Sequence, residues 1–168
     1  AEPGHYVWQP MQTEQIPCPP GKFQPNFGAT SCLSAHEGHY IPGEGSTGQE
    51  AGFVLFAGFE CEPGTYSDRR GLDACKEANS GYYVPGSSAI EQLACSAGFN
   101  QPSTGSAECL PNEPGYYTNE DGTANPLACP GGNYQPDSES TDCIQTDPGH
   151  YAPGPAATHQ TVCDAGTY

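Results

Sequence analysis

No stretch of this chain carries the i, i+3, i+4 spacing of apolar residues that marks a helix, and none alternates long enough to mark an extended strand. The recurring element is one glycine followed two positions later by an aromatic residue. The glycines are Gly4, Gly21, Gly38, Gly64, Gly81, Gly98, Gly115, Gly132, Gly149 and Gly166, and every step is 17 except Gly38 to Gly64, which is 26. The aromatics are Tyr6, Phe23, Tyr40, Tyr66, Tyr83, Tyr117, Tyr134, Tyr151 and Tyr168; only Gly98 departs, with Asn100 at that phase. Segments such as Gly-Lys-Phe-Gln-Pro are too short and too proline-limited for a helix. Aromatics favour strands, and the Pro, Gly, Asn and Ser that follow favour a turn. A second glycine recurs seven past the first, at Gly28, Gly45, Gly71, Gly105 and Gly122. Each unit therefore reads as a small irregular β-hairpin whose phased aromatic packs on its neighbour or on a disulfide. Helix is expected to be nearly absent.

Cysteine keeps the same register but fills only alternate units. A Cys stands three before and eleven after Gly21, Gly64, Gly98 and Gly132. The intervening units lack both, with Ala1 and Gln15, Ala78 and Gln92, and Asn112 and Pro126 at those phases. Positions filled and vacated together are most simply bonded to each other. The pairing Cys18–Cys32, Cys61–Cys75, Cys95–Cys109 and Cys129–Cys143 follows. Each bridge would close a short loop, worth roughly 3 kcal/mol on the chain-entropy account. Cys163 has its expected partner eleven past Gly166, beyond Tyr168, so it is expected to be unpaired in this window of a longer array.

Composition explains why such staples are needed. Leu, Ile, Val and Phe make up 20 of 168 residues and the formal net charge is −16, values that otherwise accompany disorder. A single apolar core cannot be built from this inventory; disulfides in an oxidising compartment can replace it. The fold class is a small disulfide-rich β architecture. It is expected to be an elongated, solenoid-like rod of 17-residue hairpins with a 34-residue double repeat, each unit touching mainly its neighbours. Repeat 1 spans 3–36, and repeat 2 spans 37–79 with a nine-residue insertion near 50–59. Repeat 3 spans 80–113, repeat 4 spans 114–147, and a truncated repeat 5 spans 148–168.

The pattern C-x-x-G-x-[FY]-x(8)-C, as in Cys18-Pro19-Pro20-Gly21-Lys22-Phe23 through Cys32 and Cys129-Pro130-Gly131-Gly132-Asn133-Tyr134 through Cys143, resembles the ephrin-receptor-like (GCC2/GCC3) cysteine-rich modules. These are similar to the cysteine-rich repeats of growth-factor and tumour-necrosis-factor receptors. Where the family's second motif cysteine would be, this chain has Ala35, Ala78, Asn112 and Thr146, a specialised double unit. The resemblance implies a secreted or cell-surface protein with a binding or architectural role. Long arrays of this kind look like parts of surface fibres and flagellar hairs.

Candidate chemistry is sparse. His5, His39 and His150 follow the lead glycine where Tyr82 and Tyr116 stand in other units, so they read as half-exposed rings rather than metal ligands. Twenty carboxylates, with no Lys or Arg after Lys76, disfavour a nucleic-acid partner. They suit a solvated acidic surface; Asn119-Glu120-Asp121-Gly122 only faintly resembles a calcium loop, and no cofactor beyond diffuse Ca²⁺ is expected. No N-x-[ST] sequon occurs, whereas Ser- and Thr-rich turns suit O-linked glycans. No arrangement of residues suggests catalysis. The insertion holds the one compact apolar run, Phe53-Val54-Leu55-Phe56 with Phe59 behind, and Arg69, Arg70 and Lys76 follow. An apolar and basic patch of this kind is expected to contact another copy. The function expected is a structural segment of an extracellular filament or surface appendage with no membrane span. The alternative is a receptor or adhesin ectodomain that binds a protein or glycan.

Overall fold

The computed structural model describes residues 1–50, 53–54 and 58–166. Among the described residues there is no helix; all regular structure is in two-residue strands paired as antiparallel hairpins. β1 (His5–Tyr6) pairs with β2 (Ile16–Pro17), and β3 (Lys22–Phe23) with β4 (Leu33–Ser34). β5 (His39–Tyr40) pairs with β8 (Phe59–Glu60) around an inserted hairpin, β6 (Gln49–Glu50) with β7 (Phe53–Val54). β9 (Thr65–Tyr66) pairs with β10 (Lys76–Glu77), β11 (Tyr82–Tyr83) with β12 (Leu93–Ala94), and β13 (Phe99–Asn100) with β14 (Leu110–Pro111). β15 (Tyr116–Tyr117) pairs with β16 (Leu127–Ala128), β17 (Asn133–Tyr134) with β18 (Ile144–Gln145), and β19 (His150–Tyr151) with β20 (Thr161–Val162). Nine hairpins thus follow the glycine repeat, and the excess between Gly38 and Gly64 is a hairpin of its own. Leu55, Phe56 and Tyr168 lie outside the described residues.

Each repeat hairpin is entered through one kind of turn. The amide after the lead glycine bonds to the carbonyl three residues back, as in Lys22 to Pro19 (3.0 Å) and Tyr116 to Glu113 (3.1 Å). The lead glycines have φ between 76° and 90°. Proline precedes Gly4, Gly21, Gly64, Gly115 and Gly149. Pro at the second and Gly at the third position is the signature of a type II turn, whose third residue needs a left-handed φ.

One or two further backbone bonds join a hairpin to the next. In the first compact unit, residues 1–78 with 84–92, the Gly4 amide bonds to the Gln24 carbonyl (2.7 Å) and Gly21 to Ile41 (2.8 Å). The residue three past the lead glycine does the same, Val7 to Ala29 (3.0 Å) and Gln24 to Ser46 (3.0 Å). In the second, residues 79–83 with 93–168, the same bonds run from Gly81 to Gln101 (2.7 Å), Gly115 to Gln135 (2.8 Å) and Thr118 to Ser140 (3.2 Å). Hairpins two apart also meet. A Cβ built on Gly4 would collide with the Gly45 carbonyl, and one on Gly81 with the Gly122 carbonyl.

The core is a thin spine inside each unit, and it is not made chiefly of the repeat aromatics. Of these only Phe23 is fully buried; Tyr6, Tyr40, Tyr66, Tyr83, Tyr117 and Tyr134 are half-buried and Tyr151 is exposed. The buried positions are the one three before the lead glycine (Cys18, Ala35, Cys61, Ala78, Cys95, Asn112, Cys129) and the one three after it. The latter alternates with the cystines. It is polar in the disulfide-bearing hairpins (Gln24, Ser67, Gln101, Gln135) and carries methyl groups in the others (Ile41, Val84, Thr118, Ala152). Each buried glutamine ties its own hairpin loop: Gln24 donates to the Ser31 carbonyl (2.8 Å) and accepts from the Asn26 amide (3.0 Å). Gln101 and Gln135 repeat both bonds. With no wide apolar interior available, side chains of one or two heavy-atom layers fill the space between hairpins, while the larger rings lie at its edge.

The position seven past the lead glycine is left-handed in every repeat hairpin, whether or not glycine occupies it. Met11, Ser88, Glu139 and Ala156 stand there, with φ of 70°, 56°, 57° and 59°. In seven of these hairpins its amide reaches back to the carbonyl of the spine residue, as Gly122 does to Cys95 (2.7 Å) and Glu139 to Asn112 (3.0 Å). A left-handed residue with a Cβ costs roughly 1–2 kcal/mol, against about 0.5–1 kcal/mol for the extra chain entropy of glycine. Glu139→Gly is therefore expected to raise stability by about 0.5–1 kcal/mol, read as a shift in denaturation midpoint. A loss would show that the Glu139 side chain makes a compensating contact.

Candidate functional site

The disulfides join Cys18 to Cys32, Cys61 to Cys75, Cys95 to Cys109 and Cys129 to Cys143, with Cα–Cα separations of 5.8, 5.7, 5.7 and 5.8 Å. These are the pairs read from the alternation, and Cys163 is free and half-buried. In each bond the first cysteine is completely buried in the spine. In two hairpins without a cystine, a glutamine at the vacated second position ties the same region. Gln15 accepts from the Glu2 amide (2.8 Å), and Gln160 accepts from the Asp147 amide (2.8 Å) while donating to the Asp147 carboxylate (2.7 Å). Sequence reading recorded Gln15 as a vacancy; the signal available was the recurrence of Gln at the vacated phase.

Of the apolar and basic residues expected to form a patch at the insertion, the side chains of Phe59, Arg69, Arg70 and Lys76 are among those described. Phe53 and Val54 form strand β7, and Leu55 and Phe56 lie outside the described residues. Phe59 is a core residue instead: it packs against Phe23, Ala35 and Ile41, its ring 5.7 Å from that of Tyr40. It lies opposite Tyr40 across the β5–β8 pair, which places it against the spine. Arg69 and Arg70 are exposed. Lys76 is engaged within its own hairpin, 2.7 Å from Asp68 and 5.9 Å from the centre of the Tyr66 ring. That hydrogen bond holds the Asp68 carboxyl below its ordinary range.

The histidines do not converge. His5, His39 and His150 each place Nδ1 near the carbonyl two residues back, Pro3 (3.3 Å), Glu37 (3.1 Å) and Pro148 (3.4 Å). Each ring is thereby held to its own turn. Among the described residues no group of three or more His, Cys, Asp or Glu side chains is placed to hold a metal ion. Asp121, in the segment with a faint calcium-loop pattern, accepts a hydrogen bond from the Ala97 amide (2.8 Å), which is a structural role.

The second unit contains the feature that sequence reading missed. Asn100, Asn112 and Thr118 form a buried polar cluster. Asn100 donates to Asn112 (3.0 Å), and Asn112 donates to the Thr118 hydroxyl (2.9 Å) and to the Ser140 carbonyl (3.1 Å). Thr118 donates to the Phe99 carbonyl (3.2 Å) and accepts from the Gly98 amide (2.9 Å). These three residues occupy the repeat positions held in the first unit by Phe23, Ala35 and Ile41, which form an apolar cluster. The exchange from apolar to polar is concerted, and it explains why position 100 alone lacks a repeat aromatic.

Beside Asn100, where the other hairpins carry that ring, lies an open groove of about 380 Å³. Asn100, Leu110, Pro111, Glu113, Tyr116 and Pro126 line it. It has the size of a small binding site and offers aliphatic, proline and tyrosine walls with one carboxylate. Neither a protein-family model nor a curated protein sequence matches the chain. Among the described residues no helix is long and apolar enough to cross a membrane.

Proposed function

We propose that this chain is a structural segment of an extracellular fibre or surface appendage, extended by hairpin repetition and joined to other copies through subunit contacts. The observation that carries this reading is the recurrence of the same backbone bonds from hairpin to hairpin. Repeats joined only to near neighbours build length without needing a thick core. Four cystines support an oxidising, extracellular setting. The resemblance to ephrin-receptor-like modules agrees with both points, and the Ser- and Thr-bearing tips suit O-linked glycans.

Electron microscopy of the purified, oxidised protein tests the reading. Elongated particles that join into filaments as concentration rises are the expected result. Particles that remain single at every concentration, together with saturable binding of a protein or glycan, would replace it with the receptor or adhesin reading.

A further inference from the structure

We propose that the groove beside Asn100 is a binding site for the ammonium end of a lysine side chain presented by a partner protein. The observation that carries this is an unused hydrogen-bond acceptor on its wall. Asn112 Nδ2 donates to the Ser140 carbonyl (3.1 Å), so it is Asn112 Oδ1 that faces Asn100 and accepts from its Nδ2 (3.0 Å). The second proton of Asn100 Nδ2 is directed at the Leu110 carbonyl (3.4 Å). Carbonyl oxygens cannot donate, so these partners fix which way both amides point. Asn100 Oδ1 is left over. It has no hydrogen-bond partner, although Asn100 is only 7% exposed. Among the described residues every fully buried side-chain N or O atom has a partner. Oδ1 therefore reaches the surface, and the open space that Asn100 lines is the groove.

The other walls suit a cation on an alkyl stem. Glu113 supplies an exposed carboxylate and Tyr116 a half-buried ring, and a cation is attracted to the face of such a ring. Leu110, Pro111 and Pro126 offer apolar surface, along which a lysine stem lies while its charged head meets the polar groups. Both Asn100 protons are engaged, so the Tyr116 hydroxyl is the one lining side-chain group able to donate to a ligand. An anion finds no charged donor there. The surroundings have the same sign: residues 79–83 and 93–168 contain Asp and Glu but no Lys or Arg. Two acceptors match the compact ammonium better than the planar, five-donor guanidinium of arginine. Because the groove opens at the surface, a side chain can enter while the chain that carries it stays outside.

NMR titration of the oxidised natural chain with Nα-acetyl-lysine methylamide tests the site, with the uncharged norleucine analogue as control. Saturable shifts centred on the Asn100 side-chain amide and the backbone amides of Glu113 and Tyr116 are expected. The norleucine analogue should bind at least about tenfold more weakly, as should the lysine compound on a Glu113→Gln variant, since each loses a charge-assisted hydrogen bond. Glu113 is exposed, so that variant keeps its fold. An Asn100→Phe/Asn112→Ala/Thr118→Ile variant keeps Glu113 and Tyr116 but has no Oδ1 acceptor, and its binding should fall by a similar factor. Shifts that spread over all the acidic hairpins without saturating would mean general charge attraction and overturn the proposal. So would a norleucine analogue that binds equally well, because apolar contact would then suffice. Undiminished binding by the triple variant would remove Asn100 Oδ1 from the site, and the absence of any saturable shift would remove the site itself. None of these results depends on filament formation, so the fibre reading stands or falls separately.

Discussion

Gly81→Ala is expected to destabilise the protein by about 3 kcal/mol or more, while Gly71→Ala costs about 1–2 kcal/mol. Both glycines are left-handed, with φ of 84° and 76°. The left-handed penalty of about 1–2 kcal/mol is therefore common to both. Their surroundings differ. A Cβ on Gly81 would enter the Gly122 carbonyl group and lie 3.4 Å from the Ala124 amide, whereas a Cβ on Gly71 meets nothing closer than 3.8 Å. The clash is with backbone, which has no rotamer to yield. Relief requires the tip of the Gly115 hairpin to move away. That motion strains the bonds from Gly122 to Cys95 (2.7 Å) and from Gln101 to Thr123 (3.3 Å), each worth about 1 kcal/mol net. Repeat proteins need not unfold in one step, so the comparison is best made by hydrogen exchange at the amides of those two bonds. Equal protection in both variants would mean that hairpins two apart are not coupled as described.

The turns and the staples were readable from residues because their chemistry is local. Glycine, proline, asparagine and serine recurring at fixed phase mark a turn, and cysteines that appear and vanish together declare their pairing. The spine was not readable in the same way. Two-residue strands are too short to show which side faces inward, so the half-exposed Tyr6 or Tyr117 advertised itself while the buried Val84 and Ala78 did not. The left-handed position seven past the lead glycine was visible at Gly28 and Gly122 but concealed at Ser88 and Glu139, where a hydrogen bond to the preceding hairpin holds that conformation against residue preference. Phe59 looked like part of an apolar protrusion, since only the β5–β8 pairing brings it to Tyr40 and Phe23. The groove needed most context. It depends on Asn100, on one hairpin, and on Tyr116 and Pro126, on the next.

Asn112→Ala is expected to cost about 2–4 kcal/mol, and the triple change Asn100→Phe/Asn112→Ala/Thr118→Ile to recover most or all of that loss. Asn112 is completely buried and serves three partners, Asn100, the Thr118 hydroxyl and the Ser140 carbonyl. Removing it leaves buried polar groups short of partners at roughly 1–3 kcal/mol each, part of which local rearrangement offsets. Rewriting all three positions installs the residues found at the same phases in the first unit, where Phe23, Ala35 and Ile41 pack together and need no polar partners. Thermal denaturation of the natural chain, the single variant and the triple variant decides the matter. A triple variant less stable than the single one would show that the two units do not share one backbone geometry at these positions. The same triple variant bears on the reason for a polar cluster that an apolar one can replace. Hairpins this similar can stack in wrong register, and a buried polar cluster satisfied only by its proper neighbours penalises such stacking, as buried polar residues do in other repetitive assemblies. The triple variant should therefore keep its fold and refold with more misstacked species.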